Sequence, residues 1–92
     1  MCGIAGVIMG PGQVVSSDEL CRISASIQHR GPNDEGYLGW SPGVPAWAGR
    51  NVNLAQGKLA LIHRRLSILD LSPLGWQPMA SADGRFHIVY NG

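Results

Sequence analysis

The chain has 92 residues, of which 45% are hydrophobic, and its formal net charge is +1. Such a chain can form at most one small globular domain, and its hydrophobic fraction argues against an intrinsically disordered protein. No basic cluster beyond Arg64-Arg65 suggests a nucleic-acid partner, and no stretch approaches the roughly 20 apolar residues of a membrane helix. Two cysteines without close Cys or His neighbours predict no zinc site and fit a reducing, cytoplasmic location.

The first predicted elements are a strand and a helix. Residues 2–9 are small and apolar and end at a Gly-Pro-Gly turn, which predicts a buried strand. The same apolar run is too short for a signal peptide. Ser16 and Glu19 have the spacing of a capping box, which predicts a helix over residues 18–29 that ends at Gly31-Pro32. The apolar stripe of this helix is formed by Leu20, Ile23 and Ile27.

The rest of the chain is predicted to consist mainly of loops between short strands. Gly, Pro, Asn and Ser are frequent in residues 31–57, and residues 71–81 are also predicted to be a loop. The predicted strands are residues 44–48, residues 58–64, a strand that begins or continues at Ile68 and Leu69, and residues 86–90 after an Asp83-Gly84 turn.

The last predicted strand ends in Asn91-Gly92, a pair typical of a hairpin turn, but no returning strand follows in the 92 residues. A final strand without its partner would leave a sheet edge unpaired. We therefore expect these residues to be the front part of a larger domain.

Cys2 is the leading candidate for chemistry because it directly follows the initiator Met1. If Met1 is removed, a thiol and a free α-amino group stand on the same residue, and the amine can serve as the base for the thiol. The position therefore predicts an N-terminal nucleophile hydrolase. The alternative is a cysteine that only fills space in the core.

Four segments in one order resemble the glutamine amidotransferase domain of the asparagine synthetase family. They are Met1-Cys2-Gly3-Ile4-Ala5-Gly6, His29-Arg30-Gly31-Pro32, the run from His63 to Asp70, and Tyr90-Asn91-Gly92, with Gln77-Pro78-Met79 between the last two. The related glucosamine-phosphate synthases and phosphoribosyl amidotransferases share the Cys-Gly-Ile start but typically lack the later segments. The resemblance is therefore to the asparagine synthetases.

The resemblance implies a reaction and a set of site residues. Cys2 would attack the side-chain amide of L-glutamine, release ammonia and form a γ-glutamyl thioester, which water hydrolyses to glutamate. Arg65 would bind the glutamine α-carboxylate through a guanidinium fork. The remaining implied residues are the oxyanion donors, the Asn91 side-chain amide and the Gly92 N–H, and the substrate-lining Ile68 and Leu69. A plain hairpin turn and a solvated surface arginine are the alternative interpretations of Asn91-Gly92 and Arg65.

The implied fold is α+β, a partial N-terminal nucleophile hydrolase sandwich of antiparallel sheets flanked by helices. Residues 1–92 would be the N-terminal part of a glutamine amidotransferase type 2 domain. The C-terminal ATP-pyrophosphatase (synthetase) domain, which acts on aspartate with ATP and Mg, would be absent, as would the family's acidic ligand for the glutamine α-amino group. We thus expect no metal and no cofactor here, no nucleic-acid or membrane partner, and little or no glutaminase activity from the 92 residues alone; a homodimer is compatible with the resemblance.

The other polar candidates are assigned to scaffolding. The family uses its terminal amine as the base, so His29 and His63 are interpreted as structural residues, and Cys21 as inert packing on the buried side of the helix. Asn33 replaces the family's usual Asp, which affects the loop rather than the nucleophile. The alternatives left open are a non-catalytic interaction module, a redox protein that uses Cys2 and Cys21, and a glutaminase domain that serves another carboxylate amidation.

Overall fold

The computed structural model describes residues 2–66 and 76–90. Its main element is a four-stranded antiparallel sheet with the strand order β1-β4-β2-β3. These strands are β1 (Gly3–Ile8), β2 (Asp34–Ser41), β3 (Val44–Gly49) and β4 (Leu59–Arg65). The other elements are helix α1 (Ser17–Ser26), the 3₁₀ turns Gln28–Arg30 and Val52–Leu54, and a two-stranded hairpin of β5 (Met79–Ala80) and β6 (His87–Ile88).

Helix α1 begins as its sequence predicts and covers one face of the sheet. The Ser16 hydroxyl accepts a hydrogen bond from the Glu19 N–H at 3.2 Å, so it satisfies one of the free donors of the first turn. The apolar stripe of the helix packs on the core, and Leu20 is completely buried. The other buried members of this core are Val15, Tyr37, Ala55, Ala60 and Ile62.

The opposite face of the sheet is also apolar, but much of it is exposed within the described residues. Side chains alternate between the two faces of a strand, and on β1 the residues that point away from the core include Ile4 and Ile8, which are 45% and 76% exposed. The register places them across from His63 and Leu59 of β4. The prediction of a buried first strand is therefore wrong for its outer face, because among the described residues β1 is an edge strand with one covered face.

Strand β2 is an element that the sequence did not predict. Its Gly36 and Gly39 made residues 31–57 look like a loop, yet both glycines lie where another backbone segment packs against the strand. A Cβ at Gly36 would overlap the Gln77 carbonyl oxygen, and one at Gly39 would lie 2.6 Å from the Gln56 carbonyl oxygen. Glycine within a strand often marks such a close approach.

The remaining predictions are confirmed in part. The strands predicted over residues 44–48 and 58–64 correspond to β3 and β4, and the turn at Asp83-Gly84 is present. The helix ends earlier than predicted, because Ile27 closes a tighter turn by donating its N–H to Ser24, and a separate 3₁₀ turn follows. Two other predictions fail: Met79–Ala80 forms a strand rather than a loop, and only His87–Ile88 of residues 86–90 is a strand.

The α+β class is confirmed, since an antiparallel sheet packs against a helix. Within the described residues, no helix has the length and apolar character needed to cross a bilayer. The strand expected at Ile68 and Leu69 lies outside the described residues.

Candidate active site

The Cys2 thiol lies at the end of the sheet where β4 stops. Its Sγ accepts a hydrogen bond from the backbone N–H of Leu66 at 3.5 Å, and the residue is only 7% exposed. The Cys2 carbonyl accepts a second hydrogen bond, from Nε of Arg30 at 3.3 Å. The second residue of the chain is therefore fixed beside the residue that follows Arg65.

Arg65 is the last residue of β4 and lies across from Asp34 of β2. Hydrogen bonding from Arg50 is the main cause that lowers the pKa of Asp34, and the positive charge of Arg65 lowers it further. Because neighbouring residues of a strand point to opposite faces, Arg65 and Arg64 project to different sides of the sheet. Both are only 8% exposed, so the interpretation of either one as a solvated surface arginine is wrong.

The loop after the 3₁₀ turn is held tightly against the end of β4. The Asn33 N–H donates to the Arg65 carbonyl at 3.0 Å, and Nε of Arg64 donates to the Gly31 carbonyl at 3.2 Å. A Cβ on Gly31 would overlap the carbonyl group of Arg64. Gly31 and Asn33 thus hold the backbone of the arginine pair in place.

Arg64 belongs to a closed ring of hydrogen bonds on the helix side of the sheet, which we call the inner cluster (Ser24, Glu35, Tyr37 and Arg64). Nη1 of Arg64 donates to the Glu35 carboxylate at 2.7 Å and to the Ser24 hydroxyl at 3.4 Å. The Tyr37 hydroxyl donates to Glu35 at 2.7 Å and lies 2.8 Å from Ser24. Burial raises the pKa of Tyr37, which keeps this hydroxyl protonated as a donor.

A second ion pair lies next to the inner cluster but is exposed to solvent. Arg50 forms a two-point interaction with Asp34, at 3.0 and 2.9 Å, and its guanidinium lies 5.1 Å from the centre of the Trp76 ring. The Trp76 indole N–H donates to the Glu35 carbonyl at 2.8 Å. These contacts attach Trp76 to strand β2.

Comparison with known proteins identifies the family of the chain. A family model described as a glutamine amidotransferase domain matches residues 1–92. The chain belongs to this amidotransferase family. No solved structure matches the chain.

Curated relatives of the amidotransferase chain include synthetases and amidases. A putative asparagine synthetase [glutamine-hydrolyzing] 2 from Methanocaldococcus jannaschii is 37% identical over 90 residues, which are 98% of this chain and 15% of the relative. The amidase chry2 of Gibberella zeae is 36% identical over 102 residues, covering 100% of this chain and 13% of the relative. Asparagine synthetase [glutamine-hydrolyzing] 2 of Bacillus subtilis is 34% identical over 95 residues, covering 100% and 10%. The chain therefore spans about a seventh or less of these relatives.

The structure brings together two of the site residues expected in an amidotransferase. Cys2 and Arg65 lie at the same end of the sheet, joined through Leu66. The other expected residues, Ile68, Leu69, Asn91 and Gly92, lie outside the described residues. No group of three or more His, Cys, Asp or Glu side chains is placed to hold a metal ion in the part of the chain that the structure describes.

The remaining candidates have different surroundings from one another. His63 is buried on β4, whereas His29 is exposed in the 3₁₀ turn. Both cysteines are free, and Cys21 is exposed, so its assignment to inert packing on the buried side of the helix is wrong. The inner cluster was missed because recognising it requires the pairing of β2 with β4, which places Glu35 across from Arg64.

Proposed function

We propose that this chain carries the nucleophile and the α-carboxylate ligand of a glutaminase site. The observation that carries the proposal is the contact between Cys2 Sγ and the Leu66 N–H at 3.5 Å, directly beside Arg65. A thiol near a buried arginine suits a substrate with an amide at one end and a carboxylate at the other, as in L-glutamine. The family membership supports the same substrate.

The reaction follows from the residues that would contact the substrate. After Met1 is removed, the α-amino group of Cys2 takes the thiol proton, and the sulfur attacks the glutamine amide carbon. The tetrahedral intermediate collapses to a γ-glutamyl thioester as the C–N bond breaks and the nitrogen leaves, protonated, as ammonia. Water then attacks the thioester, which yields glutamate and restores the thiol.

Substrate orientation is assigned to a small set of groups. Arg65 binds the α-carboxylate, because a guanidinium fork can form two parallel charge-assisted hydrogen bonds with it. The oxyanion of each tetrahedral intermediate needs preorganised donors, and we assign this role to the Asn91 side-chain amide and the Gly92 N–H. Ile68 and Leu69 line the substrate through their backbone groups.

The ammonia would serve ATP-dependent asparagine synthesis in the product of the complete gene, with ATP, Mg and aspartate bound by a synthetase domain. The names of several relatives support this acceptor. Two fungal relatives that match the whole chain are named amidases and not asparagine synthetases, so the acceptor need not be aspartate. The second candidate is therefore a glutaminase domain that serves amidation of another carboxylate. In both cases we propose that residues 1–92 made alone have little or no glutaminase activity.

The apolar outer face of the sheet supports a larger domain architecture. The exposed Ile4 and Ile8 of β1 lie on the same face as Leu61 of β4, and a sheet that buries one face against a helix gains further stability if a second layer covers the other. We propose that this face packs on a second sheet, as in an N-terminal nucleophile sandwich.

The proposed nucleophile is tested with a matched pair of cysteine variants in the product of the complete gene. Cys2→Ala should lower glutamine-dependent product formation by at least about 1000-fold, because no thioester can form, while synthesis from added ammonia continues. Cys21→Ala, which changes an exposed cysteine, should retain both activities. Product formation is measured with glutamine and with ammonium as the nitrogen source. Equal loss of both activities in Cys2→Ala would contradict the assigned role.

A further inference from the structure

A buried glutamine side chain holds the backbone of Tyr90. Oε1 of Gln77 accepts a hydrogen bond from the Tyr90 N–H at 2.7 Å, and Gln77 is only 5% exposed. The Tyr90 side chain itself is 49% exposed, so this buried polar contact is made to the main chain and not to the phenol.

Gln77 can hold Tyr90 in place because Gln77 is itself fixed to the sheet. Its carbonyl group packs on Gly36 of β2, where any side chain would overlap it. The preceding Trp76 donates its indole N–H to the Glu35 carbonyl at 2.8 Å. Tyr90 is therefore tied through Gln77 to strand β2.

We propose that Gln77 is a positioning residue for the oxyanion donors of the glutaminase site. Asn91 is bonded covalently to Tyr90, so the Gln77 side chain fixes the point from which Asn91 and Gly92 continue. This inference rests on the proposed function, which assigns these two residues to the oxyanion. It gives a role to a buried glutamine that takes no direct part in the reaction.

The catalytic consequence follows from how such donors work. They stabilise the oxyanion only if they already stand at hydrogen-bond distance from it, and an error of about 1 Å can cost about 100-fold in rate. Loss of the acceptor at Gln77 would free the Tyr90 N–H and loosen this point. We therefore expect an effect on kcat rather than on KM for glutamine.

The test compares Gln77→Met with Gln13→Met in the product of the complete gene, each in a Cys21→Ala background. Methionine has nearly the length of glutamine but lacks the amide oxygen, and Gln13 is an exposed residue that provides the control. Glutamate release gives kcat and KM. The rate at which iodoacetamide alkylates Cys2 is measured on the same samples, because that displacement develops no oxyanion.

For Gln77→Met we expect a fall in kcat of about 10- to 100-fold, a KM within about threefold of the parent, and an unchanged alkylation rate. Gln13→Met should match the parent in all three. Hydrogen exchange at the Tyr90 amide should become faster only in Gln77→Met.

An unchanged kcat in Gln77→Met would overturn the positioning role while leaving the glutaminase function intact. A parallel loss of turnover and alkylation would overturn it as well, since that pattern indicates general disruption around Cys2. If the parent protein releases no glutamate, the proposed function itself fails, and the inference fails with it.

Discussion

The two arginines at the end of β4 lie on opposite sides of one sheet and illustrate two uses of the same side chain. Arg64 points to the helix and is fully engaged by Glu35, Ser24 and the Gly31 carbonyl. Its neighbour Arg65 ends the strand beside the Cys2 contact and is assigned to the substrate. Arg64 and Arg65 are adjacent and equally buried. They have different roles because neighbouring side chains of a strand point to opposite faces of the sheet and meet different partners.

The packing beneath Arg64 provides the largest expected effect on stability. Gly31→Ala would place a methyl group into the Arg64 carbonyl, and because this is backbone against backbone, neither segment can move away easily. We expect the free energy of unfolding to fall by about 3 kcal/mol, measured by urea denaturation of the 92-residue chain.

Gly6→Ala is the matched control for this glycine. Its Cβ would lie 3.4 Å from a methyl group of Leu61, which is a flexible side chain on the more open face of the sheet. We expect a change within about 1 kcal/mol. Equal losses in the two variants would mean that the contact between Gly31 and β4 is not a special constraint.

The division of labour between the arginines is tested by the same substitution at both positions. Arg64→Met removes the ion pair and the bonds to Ser24 and Gly31, and we expect a loss of about 2 kcal/mol. The loss is moderated because the Glu35 side chain is 42% exposed and water can solvate its carboxylate. The KM for glutamine in the product of the complete gene should stay within about threefold of the parent.

Arg65→Met should instead raise the KM for glutamine about 100-fold, because the α-carboxylate would lose its two charge-assisted hydrogen bonds. Steady-state glutaminase kinetics on both variants, with unfolding curves for each, complete the comparison. A larger rise in KM for Arg64→Met than for Arg65→Met would reverse the two assignments.

The sequence predicted the parts of the fold that depend on local signals. The helix start at Ser16 and a strand over residues 58–64 could each be inferred from a few neighbouring residues. The role of Cys2, inferred from its place after Met1, stays a prediction. The resemblance to a family then distinguished Arg65 from Arg64, which composition and charge could not do. These inferences required no knowledge of which strands are paired.

The features that the sequence did not predict depend on contacts between distant segments. Strand β2 contains two glycines that reduce its strand propensity, and they are required only because Gln77 and Gln56 pack against it. The inner cluster follows from the pairing of Glu35 with Arg64, which are 29 positions apart. The predicted burial of Cys21 is wrong because the apolar stripe of a short helix does not determine whether residues at the edge of the stripe are buried.

His63, on the outer side of β4, should make the stability of the fold depend on pH. Burial is the main cause that lowers the pKa of His63 below its usual 6.5. The Tyr90 backbone opposes this shift, the positive charge of Arg65 adds to it, and the negative charge of Asp34 opposes it. The unfolded chain therefore takes up a proton at His63 as the pH falls below about 6.5, whereas the folded chain does so only at lower pH.

Stability should therefore fall as the pH is lowered from 7 to 5, and His63→Gln should reduce this fall because no proton can then be taken up at position 63. The same substitution at the exposed His29 is the control and should leave the pH dependence of the parent intact. Urea unfolding at both pH values measures the difference. Among the described residues, Nε2 of His63 has no hydrogen-bond partner. No acceptor at that nitrogen would therefore stabilise the charged, protonated ring. An unchanged pH dependence in His63→Gln would show that the burial of His63 does not control it and that other groups dominate.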